Sequence, residues 1–223
     1  MPTKTFFNLS EKKKKNLIAI ALEEFSSQDY NSASISHIAR QAGIAQGSLY
    51  QYFANKKDLY LYLLDLLSKT KLSFIQNNHP QTQMDFFEYL NWVFETSLLF
   101  DVTYPAFSRL SYRVFYGGIP FEDSAGDRFK QGSAEFIRQM VIKGIEREDI
   151  NADIDPDLAV FVVEILINAV SDYIPKKLGV TTKELASSGI SSLNLDLAKK
   201  TFSDLIQILK FGLANNSLQK NLS

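Results

Sequence analysis

Cysteine is absent from the 223 residues, and histidine is nearly absent, with only His37 and His79. The first lack excludes disulfide frameworks, thiolate metal sites and cysteine nucleophiles. The second leaves too few ligands for a multi-histidine metal centre, so neither a metal nor a cofactor is expected. No glycine-rich phosphate loop of the GxxxxGK[ST] type occurs, and no nucleophile is paired with a base, so the chain does not read as an enzyme. Charge of one sign is lacking too: 24 Lys/Arg stand against 25 Asp/Glu, a formal net charge of −1. Long apolar runs are missing as well. Residues 158–170 form a thirteen-residue run that contains Glu164 and Asn168, too short and too polar for a membrane span. The earlier run 17–22 follows four lysines but ends in Glu23-Glu24, with no small-residue cleavage site. The expectation is a soluble, cytoplasmic protein with no membrane partner.

What the chain does have is aromatic residues and helical periodicity. Seventeen Phe, ten Tyr and one Trp exceed the needs of a small core. Apolar residues recur at helical spacing nearly everywhere and alternate convincingly almost nowhere, which predicts an all-α fold of about nine helices. Ser10 caps a first helix striped by Ile18, Ala21, Leu22 and Phe25. Ser34 caps a second, striped by Ile35, Ile38, Ala39 and Ala42 and closed by Gly43. A third runs from 46 to 53, and Asn55 caps a fourth that reaches about 78. Further helices are expected at 83–100, 104–116, 124–148, 156–174 and 193–213. The breakers between them include Pro105, Gly117-Gly118, Pro120, Pro175 and the Ser/Gly stretch 187–192. Two domains follow: 1–54 and 55–223.

Charge divides unevenly between the halves. Residues 1–60 hold eight Lys/Arg against five Asp/Glu, and the remainder sixteen against twenty. A small basic head on an acidic, aromatic-rich body suits a polyanion at one end.

Within that head, residues 34–53 read as helix, three-residue turn, helix, the arrangement in which the second helix enters a DNA major groove. Gln46 and Ser48 suit base edges, and Gln suits adenine in particular. Gly47 removes a side chain where backbone and DNA approach. The hydroxyls of Tyr50 and Tyr52 suit phosphates, with Tyr52 expected outward and Tyr50 partly packed. Leu49 suits a thymine methyl, although its spacing from Phe53 also fits a buried face. Lys56 opposes the dipole of its own helix, which a phosphate would explain. Lys12 to Lys15 read first as a solvated face and second as phosphate contacts.

The segment SISHIARQAGIAQGSLYQYFANKKDL, residues 34–59, resembles the N-terminal signature of TetR-family transcriptional regulators. Ser34, Ile38, Ala39, Ala42, Gly43, Gly47, Leu49, Tyr50, Tyr52, Phe53, Lys56 and Leu59 carry the likeness. Ala45 departs from it where Ser or Thr is usual, and Gln46 where a basic residue is common. The resemblance implies a homodimeric repressor on an inverted repeat of double-stranded DNA, read by Ser34, Ser36, Gln46, Gly47, Ser48, Leu49, Tyr50, Tyr52 and Lys56. It also implies a small-molecule effector, lipophilic or amphiphilic, held in the body, where Trp92, Phe107, Tyr112, Phe115 and Phe136 are the candidate lining. Arg109 and Arg113 lie one turn apart and suit an anionic group on that effector, or else acids of the protein itself. Helices 156–174 and 193–213 are expected to pair across the dimer. The alternative is a hydrophobic-ligand-binding helical protein that has lost sequence-specific DNA binding.

Overall fold

Eleven α-helices account for most of the described chain, in a computed structural model that describes residues 2–79, 82–118, 121 and 124–213. They are α1 (Lys4–Phe7), α2 (Glu11–Ser27), α3 (Ile35–Gln41), α4 (Gln46–Tyr52), α5 (Lys56–Asn77) and α6 (Phe86–Thr103). After these come α7 (Pro105–Gly117), α8 (Ser124–Glu146), α9 (Pro156–Lys177), α10 (Thr182–Ser188) and α11 (Leu195–Leu213), with a 3₁₀ turn over Gly189–Ser192. Among the described residues there is no strand, and the fold class is all-α.

Side chains start the helices as the sequence suggests. The Ser10 hydroxyl accepts from the Lys13 amide, Ser34 from His37, and the Asp155 carboxylate from Asp157. Asn55 Oδ1 accepts from the Asp58 amide at 2.9 Å. Two helices were not expected. α1 and α10 span four and seven residues and bury Phe6 and Leu185, and tertiary contacts hold them rather than propensity. The helix expected to end at 174 continues through Pro175 to Lys177, and the proline gives up one amide donor in its last turn. Pro120 lies outside the described residues.

The chain divides into two compact units: Met1–Phe74 with Phe100–Phe129 and Thr182–Ile190, and Ile75–Leu99 with Lys130–Thr181 and Ser191–Ser223. The first has a continuous core around Phe6, Phe25, Ile38, Leu49, Phe53, Leu59 and Leu63, all 1% exposed or less. In the second, Phe94 stacks flat on Phe202 at 3.9 Å. The Phe86 amide donates to Asp149 Oδ2 at 3.0 Å, and Lys210 Nζ donates to Asp85 Oδ2 at 2.7 Å. Asp149 thus anchors the start of α6.

α9 is longer than the thirteen-residue run suggested, and by length and composition alone it is long and apolar enough to cross a membrane, with a mean hydropathy of 1.7 over eighteen residues. The core helix of a soluble fold meets the same measure, and α9 buries Ala159, Val163 and Val170.

Candidate nucleic-acid interface

α3 and α4 are held at their turn by backbone geometry. Gly43 adopts φ +67, which only glycine takes without strain, and its neighbour Ile44 donates to Ala39 O at 3.0 Å. Glu24 of α2 fixes the start of α3: Oε1 accepts from the Ser34 amide at 2.7 Å, while Oε2 lies 2.6 Å from His37 Nδ1. Spacings of ten and thirteen residues carry no periodic signal, so this contact was not legible beforehand. Ala45 makes no side-chain cap to α4. In its stead Ser36 Oγ donates to Gln46 Oε1 at 2.9 Å, tying the first residue of α4 back to α3.

The two faces of α4 differ sharply. Leu49 is 1% exposed and joins the core. It therefore reaches no thymine methyl, which corrects that expectation, because the i, i+4 pairing with Phe53 turns it inward. Gln46, Gly47, Tyr50 and Gln51 face solvent, and Ser48 is half-buried. No atom outside its own local backbone lies within 4 Å of where a Gly47 Cβ would stand, so nothing inside the protein demands glycine there.

The tyrosines are placed the other way round from expectation. Tyr50 is 46% exposed, while Tyr52 is half-buried with its ring 6.4 Å from Phe6. The cause is α1. Thr3 donates through its amide to Tyr52 O at 2.9 Å and through Oγ1 to Gln51 O at 2.6 Å. Phe6 inserts beside Phe53 and Tyr62 at 5.0 and 5.5 Å. Residues 3–6 thereby strap the carboxyl end of α4, a role the sequence reading missed and to which adjacent Phe6-Phe7 was the only clue.

Lys56 also has work inside the protein. Its Nζ donates to Asn31 O at 3.1 Å and lies 4.7 Å above the Tyr30 ring, and burial lowers its pKa. It secures the loop between α2 and α3, so its position against the helix dipole needs no phosphate. Of the lysine run, Lys14 pairs with Glu11, while Lys12, Lys13 and Lys15 are exposed.

The effector candidates scatter. Phe107 (buried), Tyr112 and exposed Phe115 belong to the first unit, whereas Trp92 and Phe136, both half-buried, belong to the second. Trp92 packs on Tyr89 and His79 at 5.5 and 5.1 Å. Arg109 and Arg113 are engaged by the protein itself. Arg109 Nη2 donates to Glu23 Oε2 at 2.7 Å and Ser26 Oγ at 3.2 Å. Arg113 donates through Nε to Ser26 O, Nη2 to Ser27 O and Nη1 to Asp29 Oδ1, at 2.7 to 2.8 Å. It caps the last carbonyls of α2. This corrects their reading as ligand clamps: α7 packs along α2, and the open carboxyl end of α2 takes both guanidinium groups. In the second unit Arg138, Asp157, Val160, Phe161 and Glu164 line a cleft of about 750 Å³. It contains none of the expected effector residues.

Comparison with known proteins accords with this geometry. Residues 17–63 match the family described as bacterial regulatory proteins, tetR family. A TetR family transcriptional regulator from Chloroflexus aurantiacus J-10-FL is similar over 96% of this chain and 99% of its own, with 34% identity and a TM-score of 0.71. The HTH-type transcriptional regulator RutR of Escherichia coli K12 is 27% identical over 175 residues, 76% of this chain and 78% of RutR. The regulator FadR of Bacillus subtilis, solved in complex with stearoyl-CoA, shares the fold at a TM-score of 0.64 and 18% identity, over 86% of this chain and 96% of its own. The chain therefore belongs to the TetR family: it is a ligand-responsive, DNA-binding transcriptional regulator and not an enzyme.

Proposed function

We propose that this regulator is a cytoplasmic repressor that binds an inverted repeat as a homodimer and is released by a lipophilic effector. Residues 1–54 would read DNA, and residues 55–223 would bind the effector and dimerise. The observation that carries the reading is the solvent face of α4, where Gln46, Gly47 and Tyr50 stand exposed on a helix whose opposite side is locked by Leu49. A rigid helix with an exposed polar face at its amino end is what major-groove insertion requires. Gln46 would contact a base edge, Tyr50 a phosphate, and Ser48 whichever of the two its half-buried hydroxyl meets. Ser34 and Ser36 serve this face indirectly, through the α3 cap and the Gln46 bond.

Dimerisation is supported by apolar side chains left exposed among the described residues. Leu158, Phe161 and Ile165 of α9 are 50–56% exposed, and Ile208 and Phe211 of α11 are 70% and 73% exposed. An apolar row at i, i+3, i+7 facing water marks an interface, and a palindromic site demands a two-fold protein. Selection of duplexes from a random pool tests the whole reading, with wild type and Gln46→Ala/Tyr50→Ala side by side. The expected result is an enriched inverted repeat that the variant loses. Folded, effector-free protein that enriches nothing would sink the reading and favour the hydrophobic-ligand carrier.

A further inference from the structure

Asp101, in the last turn of α6, is 8% exposed, and its Oδ1 is buried with no hydrogen-bond partner among the described residues. Lys71 Nζ of α5 is 3.9 Å from that oxygen, beyond hydrogen-bond reach. It supplies attraction but leaves the lone pair unfilled. A buried acceptor of this kind costs free energy unless something donates to it, and such atoms are uncommon enough to need an explanation. The surroundings are aromatic. Phe74, Phe100, Tyr104 and Phe107 form a cluster with ring centroids 5.0 to 6.4 Å apart, and Lys71 Nζ lies 5.6 Å from the Phe100 ring. The half-buried Tyr112 phenol titrates well above the usual tyrosine range, first because of burial and then because of the Asp101 charge. Ser108 Oγ is a second buried polar atom in this unit without a hydrogen-bond partner among the described residues. The cations that would have welcomed an anion, Arg109 and Arg113, are spent on α2.

We propose that Asp101 is the polar anchor of the effector site, and that the effector is an apolar molecule presenting a hydrogen-bond donor, an amine or a hydroxyl, rather than a carboxylate. The inference rests on the reading of the body as effector-binding. A donor fills the open lone pair in surroundings where a hydrogen bond to a charged group is strong. A carboxylate would place like charge against like in the same low-dielectric site.

The test is calorimetric titration of the full-length, delipidated protein with 4-phenylbutylamine, 4-phenylbutanol and 4-phenylbutyrate, which share one apolar body and differ in the head. Wild type is expected to bind the amine and the alcohol, with the carboxylate at least tenfold weaker. Asp101→Leu should lose at least tenfold for the amine. Asp101→Asn should keep the alcohol while losing the amine, a change of ratio that a merely structural role would not produce. Should the Asp101 variants fail to fold, Lys71→Met is the second measurement, and it should tighten the amine by removing the competing cation. Equal binding of all three heads, unchanged ratios in the variants, or no saturable binding to wild type would each overturn the proposal. Duplex selection on the same preparations separates the two readings. Amine binding without an enriched repeat sinks the operator reading alone, and an enriched repeat without amine or alcohol binding sinks this one alone.

Discussion

The helix offered to solvent differs between the two compact units. In the first, Phe6, Phe25 and Phe53 are each 1% exposed and the exposed row on α4 is polar apart from one tyrosine. In the second, Phe161 and Phe211 are 56% and 73% exposed. The first unit closes a core behind α4 within one chain, and its exposed phenylalanines, Phe7 and Phe115, lie outside that helix. The second leaves apolar side chains exposed on α9 and α11, which the proposed dimer would cover. A core completed in one chain can present polar chemistry to DNA, whereas a face left apolar is itself the binding chemistry.

The largest effect should come from charging that open row. Ile208→Asp/Phe211→Asp is expected to convert the dimer wholly to single chains in sedimentation at micromolar concentration. Inverted-repeat binding should then fall to that of one half-site. A double variant that stays dimeric would place the interface elsewhere. On the closed side, Phe6→Ala should cost about 3–5 kcal/mol, the usual penalty for emptying a buried phenylalanine site. Denaturant unfolding measures it, and a loss below about 1 kcal/mol would mean that α1 is not docked as described.

How much of this contrast the residues announce depends on the length of each signal. Helices of thirteen residues or more declared themselves by stripes and breakers, and the α3–α4 turn by Gly43. α1 and α10 are single turns or little more, and they exist because Phe6 and Leu185 are buried by distant partners, which no local window records. The interface was legible by residue type but less so by orientation. The inward Leu49 agrees with its spacing from Phe53, yet Tyr50 and Tyr52 exchange places because α1 covers one side. Arg109 and Arg113 were visible as a pair; that α2 would occupy them was not, since their partners lie more than eighty residues away. Asp101 carried no motif at all, for its distinction is burial without a donor.

A smaller effect separates Asp101 from an ordinary surface acid. Burial raises its pKa in the folded protein, with Lys71 opposing. Below the unfolded carboxylate range both states hold the proton and the residue costs nothing. As pH rises through that range, the unfolded chain releases its proton first, so it binds fewer protons than the folded state and stability falls. Asparagine has no proton to lose. The thermal midpoint of wild type minus that of Asp101→Asn is therefore expected to decrease as pH rises through the unfolded carboxylate range, from about pH 3 upward. A flat difference would mean that Asp101 is solvated after all.

The smallest change, Gly47→Ala, sharpens the comparison most finely, because it moves stability and binding in opposite directions. Gly47 lies in the first turn of α4 with ordinary helical backbone, and a Cβ there meets nothing within 4 Å. Alanine should therefore raise stability by up to about 1 kcal/mol, through its better helix propensity and the restricted unfolded chain. If the backbone of α4 approaches DNA closely at this point, the same methyl must lower operator affinity. Chemical denaturation and a binding titration on one preparation read both numbers. Stability and affinity rising together would show that the glycine faces water even in the complex, and would shift the close contact along α4 towards Tyr50.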